Sequence, residues 1–300
     1  MRTVNMSNNK MSLHILRITT SAVFLSIALV LKTTFSFYIP MFGQNGMSVG
    51  ISGIFSIMPS ILFGPLYGAI VSGLSDFMGY LLKPTGAYLP LMTLVAAAGG
   101  FIRGALWMSL RNRSGRKMRI AVAVVSIVLL TFGFCNIAFL SADGVDNSFY
   151  EGADIEAIET DGMHAISKLL ITRTIATKDP GANLATYLPF VTSGVIGSAV
   201  LGLVLLLADL LISKKFPSAA GKGLIMPLLI AMIASGLIVT TINTVILQET
   251  IYASWKLLPF GVVWIPRAIE EILGNTVKAY FVALLLGVFE SRKGLRNLVS

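Results

Sequence analysis

The stretch 49–82, VGISGIFSIMPSILFGPLYGAIVSGLSDFMGYLL, decides the fold. Asp76 is its one formal charge. As a single helix its 34 positions would run ~51 Å at ~1.5 Å per residue, far beyond the ~30 Å hydrocarbon core of a bilayer. Gly64-Pro65 sits near the middle, and that pair breaks a helix. Two short helices, 49–63 and 66–82, are predicted.

Working outward, further apolar runs long enough to cross a bilayer lie at 15–35, 90–110, 119–140, 187–212, 224–247 and 262–289. The first is read as an uncleaved membrane helix, because aromatic residues and not a small-residue cleavage site follow it. The chain is 55% hydrophobic and 12% charged, about half the charge of a soluble domain, which fits a chain that lives in lipid. With the break at Gly64-Pro65 there are eight helices. The basic residues of the N-terminus, 111–119, 213–222 and the tail then share one side, 14 of the 23 Lys and Arg in all. The positive-inside rule makes that side, with both termini, cytoplasmic. Without the break, the five-cation loop 111–119 would face outward. The net charge of +9 therefore reports topology and not nucleic-acid binding.

The segment 141–186 faces outward and holds eight of the 14 acidic residues. It reads as a solvated cap, with a short amphipathic helix at 163–177. Cys135 is the lone cysteine, and His14 and His164 have no ligand partners at metal spacing, so no metal site and no cofactor is expected. Hydrolase, P-loop and nucleotide fingerprints are absent, which argues against an enzyme.

Polar residues inside membrane helices carry the functional signal. Asp76 is the first. Gly64, Gly68, Ser72 and Asp76 recur at i+4 on one helix face, and this stripe is expected to face an enclosed cup. Arg103 lies mid-helix and either snorkels inward or pairs with Asp76. Asn243, Arg267, Glu270, Glu271, Asn275 and Lys278 follow near the C-terminus. Arg267 either holds a substrate carboxylate or pairs with Glu270 or Glu271; Glu271 and Lys278 are placed to neutralise each other. Tyr80, Tyr88, Trp255 and Trp264 form either an interfacial belt or a wall for a flat ring. Ala22 and Ser26 form a small-xxx-small face on the first helix.

Three motifs in order, Leu62-Phe63-Gly64-Pro65-Leu66-Tyr67-Gly68-Ala69, Leu74 to Leu82 around Ser75-Asp76-Phe77, and Pro84-Thr85-Gly86-Ala87-Tyr88-Leu89-Pro90, resemble the substrate-binding S component of energy-coupling-factor (ECF) transporters, nearest the folate-transporter-like group. Asn243-Thr244 and a Pro266-Arg267 pair opening the last helix add to the likeness. The resemblance implies a six-helix bundle in a bacterial plasma membrane that captures a vitamin-like molecule, folate-like by preference, at its outer face. It implies that loop 36–48, with Phe37, Tyr38, Gln44 and Asn45, gates the site. It implies a transmembrane coupling protein, met by Ala22 and Ser26, and two cytoplasmic ATPases as partners. On this reading Gln44, Asn45, Asp76, Tyr80, Tyr88, Asn243 and Arg267 bind the substrate, with both tyrosines stacking on it. Residues 1–111 and 224–300 form the S-component-like bundle, and 112–223 insert two extra membrane helices with the acidic segment. The rival readings are an ion-coupled secondary transporter using Asp76, Arg103, Glu271 and Lys278, a membrane enzyme, and a sensor whose outer segment binds a partner.

Overall fold

The computed structural model describes residues 2–41, 44–84, 87–113, 115–145, 161–175, 184, 187–215, 225–258 and 260–291. Nine α-helices and one hairpin make up the described residues: α1 (Arg2–Thr34), β1 (Ser36–Met41), β2 (Gln44–Gly50), α2 (Ser52–Phe63), α3 (Pro65–Leu82), α4 (Pro90–Leu110), α5 (Gly115–Ala142), α6 (Ala165–Ile175), α7 (Val195–Lys215), α8 (Ile225–Ile246) and α9 (Phe260–Ser291). Among the described residues six helical stretches are long and apolar enough to cross a membrane, and the chain is an all-α integral membrane protein.

The break between α2 and α3 falls where predicted. Gly64 has φ 94°, a conformation that a side chain disfavours, and Pro65 opens α3 with its fixed φ and no orphan N–H. The resulting helices are 12 and 18 residues long, about 18 and 27 Å.

The space between α3 and α4 is closed by small residues. A Cβ on Gly68 would sit 2.5 Å from the Gly100 carbonyl oxygen, and one on Gly104 2.8 Å from the Pro65 backbone. Gly64 and Gly68 therefore belong to a helix seam, so only the Ser72–Asp76 half of the small-residue stripe faces open space. Toward the termini the bundle fills with Phe24, Ile57, Met58, Ile61, Trp107, Met232 and Leu286.

Strands β1 and β2 pair as an antiparallel hairpin where a loop was expected. Pro40 pairs with Asn45 at a bulge, as a residue without an N–H requires. Met41 is fully buried with Leu247, Trp255, Leu258 and Val263, and Ile39 packs against that cluster. The Gln248 amide holds the underlying turn by donating to the carbonyls of Trp255 at 2.9 Å and Leu258 at 2.6 Å.

α5 and α7 pack on each other and touch the flank formed by α8 and α9. Arg119 Nε donates to Asp209 Oδ2 at 2.7 Å, with the carboxylate side chain only 6% exposed. Arg119→Ala strands that carboxylate and is expected to destabilise the pair by about 3 kcal/mol, the low end for a buried ion pair, since Arg119 keeps some solvent contact. The double replacement Arg119→Met with Asp209→Leu should be close to neutral. Melting temperatures of the three proteins in detergent check both statements.

At the other end of α5, Asp143 accepts from the His164 backbone N–H at 3.0 Å, and its second oxygen lies 2.8 Å from His164 Nδ1. The nearby Ser167 hydroxyl, then His164, hold this carboxyl below the usual carboxylate range against the effect of burial. Helix α6 falls inside the predicted 163–177. Much of the acidic segment and the whole basic tail lie outside the described residues.

Candidate functional site

A cavity of about 220 Å³ lies inside the bundle. Each of six helices gives it at least one residue: Lys32 from α1, Ser56 from α2, Asp76 from α3, Arg103 from α4, Val239 from α8, and Glu271, Asn275 and Lys278 from α9. Among the described residues α5 and α7 give it none. The six helices alternate in direction. Late residues of α1, α3 and α8 and early or middle residues of α2, α4 and α9 meet here. The cavity thus occupies the half of the bundle nearer the hairpin and away from both termini. Ile57 belongs both to its lining and to the apolar core beneath it.

Each polar lining group has a local reason for its position. Lys32 lies across Gly79, where a Cβ would meet Nζ at 2.5 Å, and donates to the Ser75 carbonyl at 3.3 Å. Lys278 runs over Gly53, 3.3 Å from where its Cβ would be. Asn275 Nδ2 donates to Glu271 Oε1 at 2.7 Å and to the Met232 carbonyl at 3.3 Å. Gly236 leaves the room these two side chains occupy. Glu271 is therefore held by Asn275, one turn on, and among the described residues it forms no ion pair with Lys278, the expected partner. Among the described residues Arg103 forms no ion pair with Asp76, the carboxylate whose charge acts on it is Glu271, and its buried Nε has no hydrogen-bond partner. Asp76 Oδ2 accepts from the Thr93 hydroxyl at 2.7 Å, which in turn lies 3.0 Å from the Tyr88 hydroxyl.

The other expected site residues surround this chamber at a distance. Tyr80 and Tyr88 pack on each other with tilted rings, centres 5.0 Å apart, and Tyr88 also meets the Phe77 ring in a T-shaped contact at 5.6 Å; neither lines the cavity. Asn243 lies one turn beyond Val239 on the same face of α8, nearer the hairpin, and among the described residues its buried Oδ1 has no hydrogen-bond partner. Arg267 lies one turn before Glu271 on α9, with its guanidinium carbon 5.9 Å from the centre of the Trp255 ring. It does not open the helix: α9 begins at Phe260, and Pro266 is internal. Trp255, wholly buried, is no interfacial belt residue. Gln44 and Asn45 stand in β2, but their side chains lie outside the described residues. Ala22 and Ser26 are exposed on one face of α1 beside Val23, Ile27 and Val30, and the Ser26 hydroxyl is satisfied by the Ala22 carbonyl at 2.9 Å.

Lys32 was not legible as a site residue, although a signal exists. It sits near the end of the first span away from the N-terminus, where the positive-inside pattern leaves no reason for a cation. Three cations and two carboxylates in so small a space suit recognition of a polar molecule with both donors and acceptors.

Among curated proteins the chain is 32% identical over 81 residues to "Folate transporter FolT" of Clostridium novyi (strain NT). That match takes in 27% of this chain and 46% of the relative, so the chain spans about half the length of the relative it matches. No solved structure matches. The family description "ECF-type riboflavin transporter, S component" matches residues 12–178, from α1 through α6. It is a family of transporter components and not of enzymes. The match extends over more than half of the sequence, and the chain belongs to the ECF-type riboflavin transporter S-component family.

Proposed function

We propose that this protein is the substrate-capturing subunit of an ECF-type importer and that its cargo is a folate-like vitamin. The observation that carries the reading is the composition of the cavity: all six bundle helices supply it, and cations outnumber carboxylates in it. Folate joins a flat pterin ring to a tail with two carboxylates. Asp76 accepts from the ring edge, and the cations hold the anionic part. A volume of about 220 Å³ is below the ~300–1,000 Å³ of usual small-molecule sites. One ring system fits, and the rest of the molecule extends toward the hairpin, where Asn243 and Arg267 face it. The hairpin, with Gln44 and Asn45, is the gate. The Ala22–Ser26 face docks a transmembrane coupling protein, and two ATPases on the cytoplasmic side supply the energy. Both termini lie on that side, a reading supported by the distribution of the basic segments. Residues 112–223 are an insertion beside the capture bundle.

A second cargo, riboflavin, is favoured by the name of the matching family. Its ring is a benzo-fused pteridine, so the two vitamins share a ring edge, but riboflavin carries no anionic tail. Calorimetry on the purified protein with folate, pteroate and riboflavin separates the readings. Folate is expected to bind best, and Asp76→Ala and Arg267→Ala are each expected to weaken it. Unchanged folate affinity in both variants would remove this site. Tighter binding of riboflavin than of folate would install the second cargo.

A further inference from the structure

We infer that Thr93 and Tyr88 are positioning residues that aim Asp76 and so set the protein's preference for a ring bearing an N–H donor. This rests on the reading of Asp76 as a ligand acceptor. A threonine hydroxyl has one proton. Thr93 gives it to Asp76 Oδ2 at 2.7 Å, so in the 3.0 Å contact the Tyr88 phenol is the donor. Tyr88 is itself fixed, packed against the rings of Phe77 and Tyr80 from α3. Thr93 stands in the first turn of α4. The chain Tyr88–Thr93–Asp76 therefore runs from the connection between two helices into the chamber wall. It occupies one carboxylate oxygen and fixes the plane of the other. Among the described residues Oδ1 accepts no hydrogen bond, which leaves it for the ligand. A carboxylate only accepts. Held in one plane, it selects a ring with an N–H in that direction and rejects one where a methyl group replaces the hydrogen.

Folate and riboflavin both carry such a donor at ring position N3, flanked by a carbonyl. The test is calorimetry with both vitamins and their N3-methyl derivatives on wild type, Thr93→Val, Thr93→Ser, Tyr88→Phe and Asp76→Ala. Thr93→Val is expected to weaken the unmethylated ligand about tenfold, the worth of one hydrogen bond to a charged group. The N3-methyl form should change less than twofold, so the discrimination ratio collapses. Thr93→Ser restores the ratio, and Tyr88→Phe lowers it about threefold. Equal weakening of both forms marks a merely structural residue and overturns the proposal. So does a Thr93→Val protein that keeps the full ratio while Asp76→Ala loses binding. Binding of neither vitamin, or an Asp76→Ala protein that binds as wild type, overturns the ligand reading itself.

Discussion

Arg103→Ala is expected to weaken folate binding about a hundredfold and to leave riboflavin within about threefold. The residue stands mid-way along α4 in the chamber wall that Glu271 also lines, with its Nε buried and, among the described residues, without a hydrogen-bond partner. Asn275 holds that glutamate at 2.7 Å, and in the proposed function the Arg103 guanidinium meets the incoming anion. Truncating one side of a desolvated charge contact costs ~2–5 kcal/mol, and a hundredfold lies toward the low end of that range. Arg103→Lys should recover only part, because an ammonium cannot present two parallel N–H groups to a carboxylate. Arg267→Ala should cost less than Arg103→Ala, since Arg267 is spread over the Trp255 ring outside the chamber. Calorimetry with the two vitamins, with melting temperature as a control on folding, reads all of this. Equal losses for folate and riboflavin would show that Arg103 supports the wall and does not meet an anion.

The second large effect is on folding. Gly100→Leu is expected to yield no monodisperse protein, and Gly100→Ala a protein that melts many degrees lower. A Cβ at this position would overlap the Gly68 carbonyl oxygen and lie 2.5 Å from the Ser72 hydroxyl. The obstruction is backbone, which no rotamer change relieves. Overpacking usually costs ~1–3 kcal/mol; here α3 and α4 must separate along a seam that also includes Gly104 against Pro65. In a bilayer such close approach supplies much of the attraction between helices. Gel filtration in mild detergent and thermal melts check the pair of variants. A leucine variant that melts like wild type would show that the seam is not tight.

How much of this was legible depends on the kind of signal. The α2–α3 break was, because Gly64 and Pro65 act through local backbone rules that tertiary context seldom reverses. Asp76 was, because a lone acid in an apolar run needs an explanation whatever surrounds it. The hairpin was not. Its strands show no clean alternation, since Ile39 and Met41 meet the turn at 253–257 and Pro40 sits at a bulge. The start of α9 was missed because Pro266 reads as a helix opener, although Phe260–Ile265 is helical before it. The tyrosines illustrate the remaining limit. Two aromatic residues eight positions apart can clasp a ligand or one another, and only the path of the connection between α3 and α4 decides that they clasp one another. Glu271, Asn275 and Lys278 were visible as polar residues on one helix, but that Glu271 would answer to Arg103 across the cavity is a fact of three dimensions.

The chamber's six-fold parentage has a bearing on how such proteins change over evolutionary time. Its walls are contributed by separate segments of sequence, and the tightest seam, Gly68 against Gly100, meets the cavity lining at Ser72. Preference for a new cargo is thus within reach of single replacements on walls away from Ser72, made without disturbing the joint between α3 and α4.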